Sequence, residues 1–230
     1  MLTELEALFA GLLAETSRGE YAAAIIEENL LAKATASTRK LTNQRLGEMY
    51  ALDRRWPLFR VLRRLWDVDK QNRGVLALLA VLARDPLLRT TAPAILGLRP
   101  GDDLVRGALV VALKGVVGER LNEAILDKVV RNCASSWTQS GHLVGRTLKK
   151  RALVAASPAA VAFALYLARS AGFLSDELLT SGWVSVLDCS PNTARDLAVE
   201  AKRMGLVDLR VASDIFEIAF DRLEPGIGGR

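Results

Sequence analysis

The chain has 230 residues, enough for one or two domains with a sound core. Half of the residues are hydrophobic but only 6% are aromatic, so the core must come mainly from Leu, Val, Ile and Ala, the composition of packed helices. The net charge of +5 favours an acidic partner. Two cysteines far apart, Cys133 and Cys189, cannot form a metal site by themselves and fit buried thiols of a reducing compartment. Met1 to Glu6 is acidic where a signal peptide would be basic, and apolar runs such as Gly74 to Ala83 are too short to span a bilayer. A cytoplasmic protein without a membrane partner is the expectation.

Leu2 to Ala14 reads as a short amphipathic helix. Gly19 breaks the chain, and Glu20 to Leu31 resumes it with Ala24, Ile25, Leu30 and Leu31 on one face. Lys33 to Ala36 is a turn. Ser37 or Thr38 then caps a third helix, to about Tyr50, that is polar and basic except at Leu41, Leu46 and Met49. Two helices, a short turn and a polar second helix suggest helix-turn-helix geometry, with Arg39, Lys40, Asn43 and Arg45 as a contact surface. Asp53 opens the next helix, with Pro57 in its first turn. There Arg54, Arg55, Arg60, Arg63 and Arg64 interleave with Trp56, Phe59 and Trp66. From Lys33 to Arg64 the charge is +7, more than the +5 of the whole chain, so the remainder sums to −2. This is either a concentrated nucleic-acid surface or a solvated face whose arginine stems cover apolar side chains.

Asn72 to Arg84 is nearly all apolar and reads as the central core helix. Pro86 to Leu96 is a short helix entered through Asp85. Leu98-Arg99-Pro100-Gly101-Asp102 is the clearest turn, a candidate boundary between a lobe at 1–100 and a lobe at 101–224. Asp102 or Asp103 caps a helix to about Val117, and Asn122 to Cys133 forms another. Ser135 to His142 is expected to start a further helix through Leu148 that ends in Lys149, Lys150 and Arg151. With Arg146 these make four bases and no acid between Ser140 and Arg151, a DNA-contacting cluster or a response to the helix dipole. Ser157-Pro158 begins an apolar helix closed at Gly172, and Ser175 caps Asp176 to Leu187.

Asp188 to Phe220 is the best-formed motif. Ser190 caps a helix, Pro191 fits its first position, and Gly205 ends it. Leu206 to Arg210 and Ile215 to Phe220 then alternate apolar and polar around Ala212-Ser213-Asp214, a short hairpin. This is the pattern of a winged helix-turn-helix over about 155–222, followed by a tail at 225–230. Asn192, Thr193 and Arg195 would face base edges in the major groove. Lys202 and Arg203 lie on the outside, and Arg210 beside the wing would touch a phosphate. Yet Asp188 to Phe220 is itself net −2. The winged helix would then select or orient DNA while Lys33 to Arg64 supplies the electrostatic hold, or it would serve as a protein-contacting end.

Little argues for catalysis or a cofactor. The lone histidine, His142, reads as a structural or surface residue, and no metalloprotease, phosphate-loop or serine-hydrolase motif is present. Acids occur singly at helix starts, where capping explains them. The expected architecture is a mainly α multi-helix bundle with an N-terminal helix-turn-helix and a C-terminal winged helix carrying a short β-hairpin.

Ala24 to Met49 resembles the N-terminal motif of the BrxA family, small proteins of the BREX bacteriophage-exclusion systems. The family's Glu-Asn-x-Leu, its Lys, its Ser/Thr-Ala turn and its Arg-Leu pair fall at Glu28, Asn29, Leu31, Lys33, Thr35 to Ser37, Arg45 and Leu46. Its Trp-Ser/Thr-x-Ser matches Trp137, Thr138 and Ser140, and Asp85-Pro86-Leu87-Leu88 fits in order and spacing, so the likeness covers most of residues 20–150. It implies an all-helical, non-enzymatic DNA-binding component of phage defence, with double-stranded DNA and other defence proteins as partners. Two alternatives share parts of this reading: an adaptor that assembles defence enzymes, and a dimeric winged-helix transcriptional regulator with a palindromic site.

Overall fold

A computed structural model describes residues 1–212 and 215–224. Its apolar stretches form helices in the order α1 (Leu2–Gly11), α2 (Arg18–Ile26), α3 (Ala36–Tyr50), α4 (Pro57–Val68), α5 (Arg73–Arg84), α6 (Pro86–Thr90), α7 (Ala92–Leu96), α8 (Arg106–Val117) and α9 (Glu123–Gln139). A hairpin follows, β1 (Leu143–Val144) with β2 (Lys150–Arg151), then α10 (Pro158–Ser170), α11 (Glu177–Thr180), α12 (Gly182–Ser185) and α13 (Pro191–Arg203). A second antiparallel hairpin, β3 (Asp208–Ala212) with β4 (Ile215–Ala219), closes the described fold.

Two helices organise the core. Val75 to Leu82 of α5 are all buried, so this helix has no polar face and must be enclosed. It packs against α3, α4, α9 and α10. Nine residues of α10 are buried, and this helix links α4 and α5 on one side to α12 and α13 on the other. Buried side chains from Leu5 to Leu223 form one continuous apolar cluster, and residues on both sides of the Leu98–Asp102 turn belong to it.

Local chemistry sets most boundaries. Ser17 and Glu20 form a capping box at α2. The helix ends at Ile26, short of the expected Leu31, because Asn29 and Ala32 take left-handed backbone conformations (φ 53° and 49°). Asn29 Oδ1 accepts the Lys33 N–H at 2.8 Å and fixes that turn. Thr35, ahead of the expected Ser37 or Thr38, caps α3. Ser190 Oγ accepts the Thr193 N–H at 3.1 Å, Pro191 starts α13, and Gly205 (φ 72°) follows its end, all as expected.

The region 135–151 departs from expectation. α9 runs unbroken through Ser135 to Gln139, and no helix covers 140–151. Gly141 (φ 90°) and Gly145 (φ 101°) hold backbone conformations that a helix cannot contain. The chain instead forms the hairpin, pairing Leu143 with Arg151 and Val144 with Lys150. Asp103 does not cap a helix; it joins this small sheet by a bridge to Lys150, and α8 starts only at Arg106. Asp176 to Leu187 is likewise not one helix but two single turns, interrupted by extended Ser181, and Ser175 is left-handed (φ 47°) rather than a cap. The expected turn at Ser213-Asp214 and the tail at 225–230 lie outside the described residues.

Gly74 touches the end of α9: a Cβ there would come within 2.6 Å of the Gln139 carbonyl oxygen, whereas one at Gly115 in α8 would meet open space. Gly74→Ala should therefore lower the unfolding free energy by about 1–3 kcal/mol. Gly115→Ala should raise it by about 1 kcal/mol. Urea melts followed by circular dichroism check both signs, and a wild-type melt for Gly74→Ala would contradict the α5–α9 contact.

Candidate nucleic-acid interface

The outer face of α3 follows from its spacing. Ser37, Lys40, Leu41, Gln44, Arg45 and Glu48 recur at three- and four-residue steps and are exposed, while Thr42, Leu46 and Tyr50 are buried beneath. Lys40 and Arg45 flank the stripe and have no ion-pair partner among the described residues. Glu48 is its one acid, and its carboxylate accepts from the Gln44 amide at 2.8 Å. The other two residues expected on this surface face inward. Arg39 donates to the Ile26 carbonyl at 2.7 Å, closing the C-terminus of α2, and half-buried Asn43 accepts from the Arg18 guanidinium at 2.8 Å.

Four of the nine cations from Lys33 to Arg64 are paired with acids within the fold. Lys33 meets Glu4 at 2.8 Å, Arg55 meets Asp53 at 2.7 Å, and Arg60 pairs with buried Glu224. The Arg55 side chain and its backbone N–H hold the Asp53 carboxyl below the usual carboxylate range. Arg63 is buried over the Phe9 ring and bonds Asp67 at 2.6 Å. Lys40, Arg45, Arg54 and Arg64 remain as exposed cations without an acidic partner among the described residues. Of these, Arg54 also donates to the Glu15 carbonyl at 3.2 Å.

At the C-terminal end, Asn192 and Thr193 are exposed in the first turn of α13. The Thr193 and Ser190 hydroxyls share a 2.9 Å hydrogen bond. Arg195 folds back: it pairs with Asp176 at 3.1 Å and lies 5.7 Å from the centroid of the Phe216 ring, fastening α13 to the α11 turn and the hairpin. Lys202, Arg203 and Arg210 are exposed and unpaired among the described residues. A groove of about 870 Å³ lies between the end of α10, the Leu174–Leu178 segment and one face of β3–β4. Its charges are mixed: Arg169, Lys202 and Arg210 against Asp208, Glu217 and Asp221.

The four bases expected at a helix end lie on the first hairpin. Arg146 is exposed in its loop, and Lys149 donates to the Thr138 hydroxyl at 2.8 Å. Lys150 pairs with Asp103 at 3.3 Å. Arg151 is inside the molecule, paired with buried Asp188, and so presents nothing at the surface. Beside it His142 is fully buried. Its Nε2–H donates to the Val186 carbonyl at 2.7 Å, which leaves Nδ1 as acceptor toward the Ser140 hydroxyl at 2.8 Å. Trp137 stacks edge-on to this ring and donates to the Thr91 hydroxyl at 2.8 Å. Burial pushes the His142 pKa down, so the ring stays neutral and serves packing rather than proton transfer.

Two further exposed cations, Lys128 and Arg131, were not among the sequence candidates. Their spacing between buried Leu126, Val130, Cys133 and Trp137 is the signal that places them outside. Burial pushes the Cys133 thiol up to about 12, well away from reactive thiolate. Among the described residues no group of three or more His, Cys, Asp or Glu could hold a metal ion, and no helix is long and apolar enough to cross a membrane.

The unfolded chain takes up its single histidine proton near pH 6.5, and the folded chain takes it up only at lower pH. Acid therefore favours the unfolded state. The unfolding free energy should fall as pH drops below 6.5, by up to about 1.4 kcal/mol per pH unit, and His142→Asn should flatten the profile between pH 7 and 5. Asp188→Asn, which leaves the Arg151 charge buried without its partner, should cost about 3–5 kcal/mol in the same melts. Comparison with protein-family models, with curated proteins and with solved structures gives no match.

Proposed function

We propose that the protein binds double-stranded DNA and catalyses no reaction, acting as a component of a BREX-type phage-defence system. The observation that supports DNA binding most is the outer face of α3, with Lys40 and Arg45 flanking Gln44 and its one acid, Glu48, bonded by Gln44. A helix that is buried on one side and polar and basic on the other can lie in a major groove, although the nine residues 27–35 that join α3 to α2 are longer than the turn of a standard helix-turn-helix. Arg39 fixes α3 against α2 in this reading and touches no phosphate.

The second surface is α13 with the β3–β4 hairpin, read as a winged helix. Asn192 and Thr193 face base edges, while Lys202, Arg203 and Arg210 neutralise phosphates. Arg195 positions α13 and does not read bases, because Asp176 and Phe216 already hold it. The place in phage defence rests on the resemblance of residues 20–150 to the BrxA family. One observation favours a second reading, in which the C-terminal unit contacts another protein: Asp188 to Phe220 is net −2, and its groove mixes three cations with three acids.

Duplex binding, read by fluorescence anisotropy, should weaken steeply between about 50 and 200 mM salt. Lys40→Ala with Arg45→Ala should reduce affinity several-fold at 50 mM. Lys202→Ala with Arg203→Ala and Arg210→Ala should do the same if the winged helix grips DNA, and leave binding unchanged if that end contacts protein. No duplex binding by the intact chain at any salt would remove the DNA reading and favour the adaptor.

A further inference from the structure

Between Asp127 and Asp176 the chain has no Asp or Glu, yet Lys128, Arg131, Arg146, Lys149, Lys150, Arg151 and Arg169 fall in that interval. Six of these cations lie on α9 and its hairpin, of which Lys150 and Arg151 are paired with Asp103 and Asp188. Lys128, Arg131, Ser135 and Thr138 follow at steps of three and four, so they line one side of α9. The stripe is about 15 Å long at 1.5 Å rise per residue. The ammonium of Lys149 sits 2.8 Å from the Thr138 hydroxyl, so the hairpin continues the stripe past the end of the helix. Arg146 stands exposed in the loop beyond. That loop is tightly defined, because a Cβ at Gly145 would come within 2.1 Å of the Leu148 carbonyl oxygen.

Neighbouring acids do not cancel this charge. Asp127 is taken by Arg106, Asp103 by Lys150 and Asp188 by Arg151. Lys128, Arg131 and Arg146 have no acidic partner among the described residues. The connectivity matters as well. Asp103, α8, α9, β1 and β2 follow in order, with Asp103 bridging back to Lys150 of β2. Helix, helix and hairpin in that order, with one residue ahead of them bridging back to the hairpin, resemble the order of elements in a winged helix-turn-helix, and α9 holds the place of the groove-reading helix.

We propose that α9 and the β1–β2 hairpin form a further duplex-DNA surface, separate from α3 and α13. Lys128, Arg131 and Arg146 neutralise backbone phosphates, and Asn132 and Ser135, exposed between them, face base edges. Duplex DNA is the occupant because a row of unpaired cations in an acid-free stretch complements a regular polyanion. This surface presupposes that the intact protein binds DNA, and the test separates the two claims.

The intact chain carrying Lys128→Ala, Arg131→Ala and Arg146→Ala is titrated with a duplex of random sequence between 50 and 200 mM salt. The slope of log affinity against log salt should shrink by about 2–3, near 0.9 for each phosphate no longer neutralised, and affinity at 50 mM should fall at least about tenfold. Lys70→Ala, an exposed cation elsewhere, should leave both unchanged. A triple variant with wild-type slope and affinity, beside a Lys40→Ala, Arg45→Ala variant that binds weakly, would overturn this surface and leave the α3 reading in place. An intact chain that binds no duplex at any salt would overturn both. If the alanine triple melts early, the Gln substitutions at the same positions remove the charges with side chains of closer length and give the same readout.

Discussion

The buried pair of Arg151 and Asp188 ties the middle of the chain to its C-terminal unit. Arg151 ends the first hairpin, and Asp188 stands two residues before Ser190, the cap of α13. Placing both charges in the interior is costly unless each finds several partners. The Asp188 carboxylate accepts from Arg151 and, at 3.0 Å, from the Val154 N–H. Arg151 also donates to the Ala152 and His142 carbonyls. Asp188 is left-handed (φ 52°), a conformation that Asp tolerates better than most side chains. The His142–Val186 bond repeats the same long-range tie, so two polar contacts join the first hairpin to the segment before α13, beside the apolar packing of α13 on α10. Net stability from such a pair is small; a single allowed placement is what it contributes.

The same economy explains the arginines. The last carbonyls of a helix have no partner within it and lie at the negative end of its dipole. Here guanidinium groups supply the missing donors. Arg63 bonds the Phe9 and Leu12 carbonyls at the end of α1, Arg39 does so for α2, Arg84 for α3, Arg73 for α4 and Arg120 for α8. A chain that uses Arg to close its helices looks more basic in sequence than its surface is. The excess from Lys33 to Arg64 is the clearest instance, since only Lys40, Arg45, Arg54 and Arg64 remain exposed without an acid among the described residues.

Features set by neighbouring residues were legible in the sequence. The mainly helical class, the enclosed helix α5 and the whole of α13 with its Ser190 cap, Pro191 start and Gly205 end depend on signals within a few residues of each other. The first hairpin was not, because two-residue strands have no periodicity to detect. Gly141 and Gly145 were its only local marks. Asp103 reads as a helix cap by type and becomes a sheet bridge only because Lys150 folds beside it. The candidate site was less legible than the fold for the same reason. Whether Arg39, Arg151 or Arg195 faces solvent is decided by Ile26, Asp188 and Asp176, far away in sequence.

In two places the chain follows helices with an antiparallel hairpin: two helices at α8–α9–β1–β2, and two single turns and a longer helix at α11–α12–α13–β3–β4. The two units differ in two physical respects. In the first, Asp103 supplies an extra strand position against β2, and in the second no described residue outside β3 pairs with β4, while a groove lies against one face of that hairpin. The part of the first after Asp127 lies in an acid-free interval, while the second is net acidic. A phosphate backbone presents uniform negative charge at every step, so it discriminates strongly between such surfaces. On the proposed reading, that backbone would meet the α9 unit at Lys128, Arg131 and Arg146. The α13 unit suits it only at Lys202, Arg203 and Arg210, and its mixed groove suits a partner whose charges vary in sign from residue to residue, as those of a protein segment do. The two units therefore differ in charge, and the ion pair of Arg151 with Asp188 links the first hairpin to the segment that leads into α13.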